Sequence, residues 1–145
     1  MTYENRGPVL FPDSDLDSSG AYSGSAFVHD GKIHYFYTGN VKHFDRDDYD
    51  YVLTGREQNQ IHVVAENPDE LGEKRITVGP VDYPDDIGTH VRDPKILEHD
   101  GIYYMVLGAR TKDDRGCVLV YTSSDLEDWS YACLLYTSDA ADDLI

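Results

Sequence analysis

The chain has 145 residues, of which 40% are hydrophobic and 12% aromatic, and this composition predicts one folded domain and excludes a disordered segment. The formal net charge of −16, from 28 acidic and 12 basic residues, excludes nucleic acid and anionic membranes as partners and favours a neutral small molecule. No run of residues is apolar enough for a membrane helix, and the first residues lack the pattern of a secretion signal, so we expect a cytoplasmic protein.

Two β-hairpins with the same turn are predicted along the chain. The first turn is His-Asp-Gly-Lys at 29–32, and the second is His-Asp-Gly at 99–101. An Asp-Gly pair between strands rich in β-branched and aromatic residues is a strong hairpin signal. The four strands are 25–28, 33–38, 95–97 and 102–107. The recurrence indicates a structural unit that repeats with an offset of 70 residues, from position 29 to position 99.

A third strand and a polar exit follow each hairpin. The third strands are 61–65 and 118–122, and each leads into a polar segment. Three strands in sequence, with a fourth supplied across the polar exit and no helical periodicity between them, are typical of a β-propeller blade. The sequence therefore predicts an all-β chain with about two blades, and we expect Trp129 to pack between them.

Three polar segments are candidates for a site. Residues 20–26 (GAYSGSA) form either a plain turn or a place where the backbone approaches a ligand closely. Residues 55–60 (GREQNQ) carry side chains that can hydrogen-bond either a sugar or the neighbouring blade. The third segment is Arg-Asp-Pro at 92–94, in which Pro94 disfavours the helical region for Asp93 and predicts an extended backbone there. The Asp93 carboxylate is then a candidate base, nucleophile or turn residue.

No metal or cofactor is predicted. The acidic run at 45–50 lacks the oxygen ligand at its fifth position and the glycine at its sixth that an EF-hand loop requires. The six histidines show no zinc-ligand spacing. The two cysteines, Cys117 and Cys133, give neither a disulfide framework nor a metal site, and Cys117 is expected to be buried.

Taken together, these segments resemble glycoside hydrolase family 32, the β-fructofuranosidases, which include invertases and bacterial sucrose-6-phosphate hydrolases. The resemblance rests on 20–26, 56–60, 92–95 and the two hairpins, and it covers about residues 3 to 132. It implies a five-bladed β-propeller with a funnel-shaped pocket, of which this chain supplies a part. It also implies a retaining glycosidase that hydrolyses β-fructofuranosyl bonds of sucrose, sucrose 6-phosphate or fructans.

The resemblance implies roles for four residues. Asp93 matches the family's aspartate that binds the ring hydroxyls and stabilises the transition state, in which a fixed negative charge gains strength as oxocarbenium character develops. Arg92 matches the adjacent arginine, and Tyr22 and Ser23 match the aromatic-serine pair that lines the fructose pocket. The family's nucleophilic aspartate and acid/base glutamate have no counterpart in this chain.

We therefore expect an internal fragment, with 1–132 belonging to the catalytic propeller and 133–145 forming a non-native tail from read-through, because 133–145 does not continue the family pattern. The fragment alone is expected to be inactive. One alternative function is a non-catalytic carbohydrate-binding propeller that kept the Arg-Asp-Pro site. A related five-bladed glycosidase or phosphorylase is the other alternative.

Overall fold

The computed structural model describes residues 2–5 and 7–136, and all regular structure among these residues is β-strand. Because this part of the chain contains no helix, it contains none that could cross a membrane. The strands are β1 (Ala21–His29), β2 (Lys32–Lys42), β3 (Arg56–Asn67), β4 (Glu70–Leu71), β5 (Arg75–Val78), β6 (Ile87–His99), β7 (Ile102–Thr111), β8 (Gly116–Ser123) and β9 (Ser130–Tyr136). They form two antiparallel sheets, β1 to β5 and β6 to β9, each in chain order except that β4 and β5 both pair with β3.

Both predicted hairpins are confirmed, with the predicted turns. Asp30 and Gly31 have φ values of 47° and 75°, and Asp100 and Gly101 have 52° and 76°. Positive φ at both central residues is the mark of a type I′ turn, whose twist matches that of the flanking strands. Local sequence therefore determines the start of each sheet.

Each sheet gains its outer strand across the polar exit, as predicted. In the first sheet the chain leaves β3, forms the short β4 and returns as β5 beside β3. In the second sheet β9 returns beside β8. Residues 133–136, which begin the segment predicted to be a non-native tail, lie in β9; the rest of that segment, 137–145, lies outside the described residues.

The two sheets pack face to face on one hydrophobic core. The buried core side chains are Phe36, Val78, Ile87, Val91, Ile96, Tyr103, Met105, Leu107, Cys117, Leu119, Tyr121 and Leu126. Trp129 packs against them, and its ring meets that of Phe36 edge to face, with centroids 5.9 Å apart. Because Phe36 belongs to the first sheet and Trp129 lies between β8 and β9 of the second, the prediction that Trp129 lies between the two units is confirmed. Cys117 is buried, also as predicted.

A buried carboxylate, which the sequence analysis did not identify, secures the segment before β1. The Asp17 side chain is fully buried on the other face of the first sheet, where it accepts hydrogen bonds from Ser14 Oγ, Tyr37 Oη and Lys74 Nζ, each at 2.7 Å. Burial alone would raise the pKa of Asp17, but the hydrogen bonds from Lys74, Ser14 and Tyr37 outweigh it and lower the pKa. The carboxylate is thus ionised and anchors the segment that leads to Tyr22.

Candidate active site

Asp93 lies in a β-bulge and has a left-handed backbone, with φ of 63°. The register between β6 and β7 shifts between Arg92 and Lys95, which leaves one extra residue on β6. The prediction that Pro94 holds Asp93 extended is therefore wrong. Proline disfavours the right-handed helical region, but the bulge selects the left-handed one, which aspartate tolerates better than most side chains. A left-handed residue other than glycine still costs about 1–2 kcal/mol.

The bulge exposes the Asp93 side chain while the next residue, Pro94, is buried. Asp93 lines an open cavity of about 340 Å³ together with His90, Arg92 and Arg110. No salt bridge occupies its carboxylate within the described part of the chain. A ligand in this cavity would therefore meet an uncommitted negative charge on a fixed backbone.

Three side chains of the first sheet bind the backbone on either side of Arg92, and we call their contacts the inter-sheet hydrogen bonds. Thr38 Oγ1 accepts a hydrogen bond from the Asp93 amide at 3.0 Å and donates one to Gln60 Oε1 at 2.7 Å. Gln60 Nε2 donates to the Val91 carbonyl, and Gln58 Oε1 accepts from the Val91 amide, both at 2.8 Å. Of the two interpretations left open for the polar run at 55–60, contact with the neighbouring unit is thus observed for both glutamines.

His90 orients the Arg92 side chain. Arg92 Nη2 lies 2.8 Å from His90 Nδ1, and His90 Nε2 lies 2.7 Å from the Tyr51 carbonyl oxygen. Because arginine and a carbonyl have fixed roles as donor and acceptor, His90 carries its proton on Nε2. Burial lowers the pKa of His90, and the charges of Arg56, Arg92 and Arg110 lower it further, although the bond to Tyr51 opposes them. The imidazole is therefore neutral, so it accepts from Arg92 and adds no positive charge.

The long charged loop between β2 and β3 lies against the start of β6. The Thr89 amide and hydroxyl both donate to the Val52 carbonyl, each at 2.9 Å, and the Tyr51 ring packs on His90 with centroids 4.7 Å apart. The loop therefore forms part of the rim beside Arg92. Within the described residues, no group of three His, Cys, Asp or Glu side chains is arranged to hold a metal ion.

Two arginines near this rim have no carboxylate partner. Arg56 is 8% exposed and its guanidinium lies over the Tyr51 ring, 4.8 Å from the centroid; its Nε has no hydrogen-bond partner among the described residues. Arg92 likewise forms no salt bridge there. The arginines that do pair with a carboxylate are Arg46, Arg75, Arg110 and Arg115. Unpaired guanidinium groups are unexpected in a chain with a net charge of −16.

Tyr22 and Ser23 lie on β1 at a second register shift, between Ala21 and Gly24. Strand β1 packs beside β6, and Ser25 Oγ donates to the Pro94 carbonyl at 2.8 Å. The structure thus brings the Tyr22-Ser23 segment next to the Arg92-Asp93 segment. It does not place all four side chains in one cavity, because Tyr22 lines a separate hollow of about 280 Å³ and the exposed Ser23 lines neither.

Thr38, His90 and Tyr51 are parts of this arrangement that were not predicted from the sequence. A partial signal was available, since Thr38 and Asn40 on β2, and Gln58 and Gln60 on β3, are polar residues at alternate positions and therefore share one face of their strand. Such alternation indicates a buried polar row, but it does not say which strand the row contacts.

This chain is similar to known proteins over most of its length. Residues 1–143 match the family model described as the glycosyl hydrolases family 32 N-terminal domain. The sucrose-6-phosphate hydrolase of Salmonella typhimurium is 40% identical over 131 residues, which are 90% of this chain and 26% of the relative. This chain therefore spans about a quarter of the length of that relative.

Solved structures of similar proteins also cover most of this chain. The sucrose-6-phosphate hydrolase of Lactobacillus gasseri is 33% identical with a TM-score of 0.76, over 94% of this chain and 26% of that one. A family 32 β-fructofuranosidase of Bombyx mori, solved as a mutant in complex with sucrose, is 28% identical with a TM-score of 0.67, over 88% of this chain and 25% of that one. The predicted all-β, partial β-propeller architecture is confirmed, and its two sheets are two blades. The chain belongs to glycoside hydrolase family 32 and matches the N-terminal domain of that family.

Proposed function

We propose that this chain is part of a retaining β-fructofuranosidase and that Asp93 stabilises the transition state of fructosyl transfer. The observation that carries the proposal is the exposed Asp93 carboxylate, free of ion pairs in the described residues, on a bulge whose backbone the neighbouring blade fixes. As the glycosidic bond breaks, the fructosyl ring gains positive charge, and a fixed carboxylate nearby gains attraction in step with it. The nucleophile and the acid/base group would come from parts of the protein outside this chain.

Arg92, Tyr22 and Ser23 complete the proposed sugar site. The neutral His90 holds the Arg92 guanidinium beside Asp93, where it can donate to sugar hydroxyls. Tyr22 offers an aromatic face and Ser23 an exposed hydroxyl on the adjacent inner strand. These roles rest on the match to the family's motifs. The geometry supports them because Ser25 binds the Pro94 carbonyl and so joins the Tyr22-Ser23 segment to the Arg92-Asp93 segment.

We further propose that the sugar substrate carries a phosphate group, as in sucrose 6-phosphate. Support comes from the relatives named sucrose-6-phosphate hydrolase and from Arg56 and Arg92, which lack carboxylate partners within the described residues. A guanidinium group binds phosphate through paired, charge-assisted hydrogen bonds. A phosphorylated sugar is retained inside the cell, so an enzyme that hydrolyses it would act in the cytoplasm. The cytoplasmic location is therefore part of this proposal.

The test is the hydrolysis of sucrose and of sucrose 6-phosphate by the full-length protein that carries this chain. We expect release of the fructosyl unit from both substrates, with the larger kcat/KM for sucrose 6-phosphate. Methanol as the acceptor should give the methyl β-fructofuranoside, because a retaining mechanism preserves the anomeric configuration. Binding of either sugar without turnover would support the non-catalytic alternative instead, and inversion of configuration would exclude the retaining mechanism.

A further inference from the structure

The inter-sheet hydrogen bonds have no part in binding sugar directly. Thr38 and Gln60 are fully buried and Gln58 is 1% exposed, so none of the three can touch a ligand in the Asp93 cavity. All three side chains reach from the first blade to strand β6 of the second. Their targets are the amide of Asp93 and both polar backbone groups of Val91.

The donor and the acceptor of each of these hydrogen bonds can be assigned, because a backbone amide only donates and a carbonyl only accepts. The Asp93 amide can only donate, so the Thr38 hydroxyl accepts from it and must send its own proton to Gln60 Oε1. The Gln60 amide group is thereby oriented with Nε2 toward the Val91 carbonyl. The Tyr83 hydroxyl, 3.0 Å from that Nε2, accepts a second bond from it and donates to the Gln58 carbonyl. A continuous series of hydrogen bonds thus runs from the Gln58 carbonyl of β3 to the Asp93 amide.

These hydrogen bonds lie where the regular pairing of β6 with β7 is interrupted. The bulge at Asp93 interrupts the β6 and β7 ladder, and its left-handed backbone persists only if surrounding contacts fix it. Thr38 binds the amide of the left-handed residue itself, and the glutamines fix the residue two positions earlier. Together they determine where the Cα–Cβ bond of Asp93 points.

We propose that Thr38 is a positioning residue, and that its hydroxyl, oriented by Gln60, holds Asp93 in the left-handed conformation that aims its carboxylate at the substrate. The proposal rests on the proposed role of Asp93. In addition, a side chain of the neighbouring blade determines where the Asp93 carboxylate points. Thr38 does not contact the substrate, so its loss should affect the rate at bound substrate more than the affinity.

The test compares Thr38→Val with Thr38→Ser in the full-length enzyme. Valine has the shape of threonine but neither donates nor accepts, whereas serine keeps the hydroxyl. We expect Thr38→Val to lower kcat at least tenfold with KM changed less than threefold, and Thr38→Ser to stay within threefold of the wild type. The matched control is Thr111→Val, because Thr111 is equally buried but its hydroxyl binds only Asp113 and Arg115 within its own blade. That control should lower thermal stability without changing kcat.

Amide hydrogen exchange gives a readout that does not depend on activity. In the wild type the Asp93 amide should be protected, and Thr38→Val should raise its exchange rate at least tenfold while Thr38→Ser does not. Unchanged protection in Thr38→Val would overturn the inference, and so would faster exchange with unchanged kcat. If the wild-type enzyme hydrolyses no fructoside, the proposed function fails and with it the positioning role, whereas the exchange data still decide whether Thr38 holds the bulge.

Discussion

Replacing Asp93 by asparagine removes one negative charge and keeps the backbone. Asparagine tolerates a left-handed conformation as well as aspartate does, so the φ of 63° and the amide bond to Thr38 should persist. The side chain is exposed and forms no salt bridge in the described part of the chain, so the free energy of unfolding should change by less than about 0.5 kcal/mol. The substitution should therefore reduce the stabilisation of the transition state and leave the stability of the fold unchanged.

The expected loss for Asp93→Asn is about 3–4 kcal/mol of transition-state stabilisation, which lowers kcat about 10²–10³-fold, as for other preorganised electrostatic groups. KM should change by less than about threefold, because the ring is neutral in the ground state and gains its charge only during the reaction. Initial rates of the full-length enzyme on sucrose 6-phosphate measure both quantities. A rise in KM with unchanged kcat, or equal losses in both, would refute a role confined to the transition state.

Two further substitutions at Asp93 separate the charge from the backbone. Asp93→Gly removes the carboxylate and relieves the strain of positive φ, whereas Asp93→Ala keeps about 1–2 kcal/mol of this strain and lacks the tolerance that aspartate has for the left-handed conformation. We expect both variants to lose kcat at least as strongly as Asp93→Asn, and only the alanine variant to show a lower midpoint of thermal unfolding. Equal midpoints for the glycine and alanine variants would contradict the left-handed geometry of Asp93.

Three other predictions concern selectivity, pH and the isolated chain. Arg56→Gln should lower kcat/KM for sucrose 6-phosphate relative to sucrose about tenfold or more; equal losses on both substrates would argue against a phosphate contact. Burial, with the charges of His34 and Arg75, lowers the pKa of His62 from 6.5 to about 4. The unfolded chain therefore takes up this proton first as the pH falls through 6.5, and we expect a loss of about 2 kcal/mol of stability between pH 8 and pH 5. Urea denaturation at both pH values should show a loss about 2 kcal/mol larger in the wild type than in His62→Gln, because His34 and His90, whose pKa values are also lowered by burial, contribute to both proteins. Equal losses in the two would exclude His62 as the cause. The purified 145-residue chain should release no fructose from sucrose and should aggregate, because its sheets expose edges and apolar faces; a soluble monomer with a sharp melt, or measurable turnover, would contradict this.

The hairpins and the blade order were predictable because their signals are local. An Asp-Gly pair between apolar strands determines a type I′ turn from a few adjacent residues, and the observed φ values of Asp30 and Asp100 agree. Trp129 was predictable for a related reason, since a large aromatic side chain after a polar exit has few places to be buried other than between the sheets.

The backbone of Asp93 was not predictable, because its cause is distant in the chain. The rule for a residue before proline describes an isolated dipeptide, whereas the conformation of Asp93 depends on a register shift against β7 and on Thr38, which lies 55 residues earlier. The identity of the Arg-Asp-Pro segment as a candidate site was visible, but the way its carboxylate is presented depends on tertiary contacts. The same holds for Gln58 and Gln60, whose target strand the sequence does not specify.

The contacts that surround Asp93 indicate why a site of this kind lies between blades and not within one. Within a blade, the backbone groups that face a neighbouring strand are engaged in the ladder, which enforces extended geometry. Strand β6 lies at the edge of its sheet, so its backbone groups that face away from β7 have no strand partner. The Asp93 amide, at the bulge of β6, lies outside this ladder, and a side chain of the neighbouring blade satisfies it. Thr38 does so, and Ser25 does the same for the Pro94 carbonyl. The left-handed aspartate and the packing of one blade on the next are therefore interdependent, and substitutions that shift the blades should lower kcat before they unfold the protein.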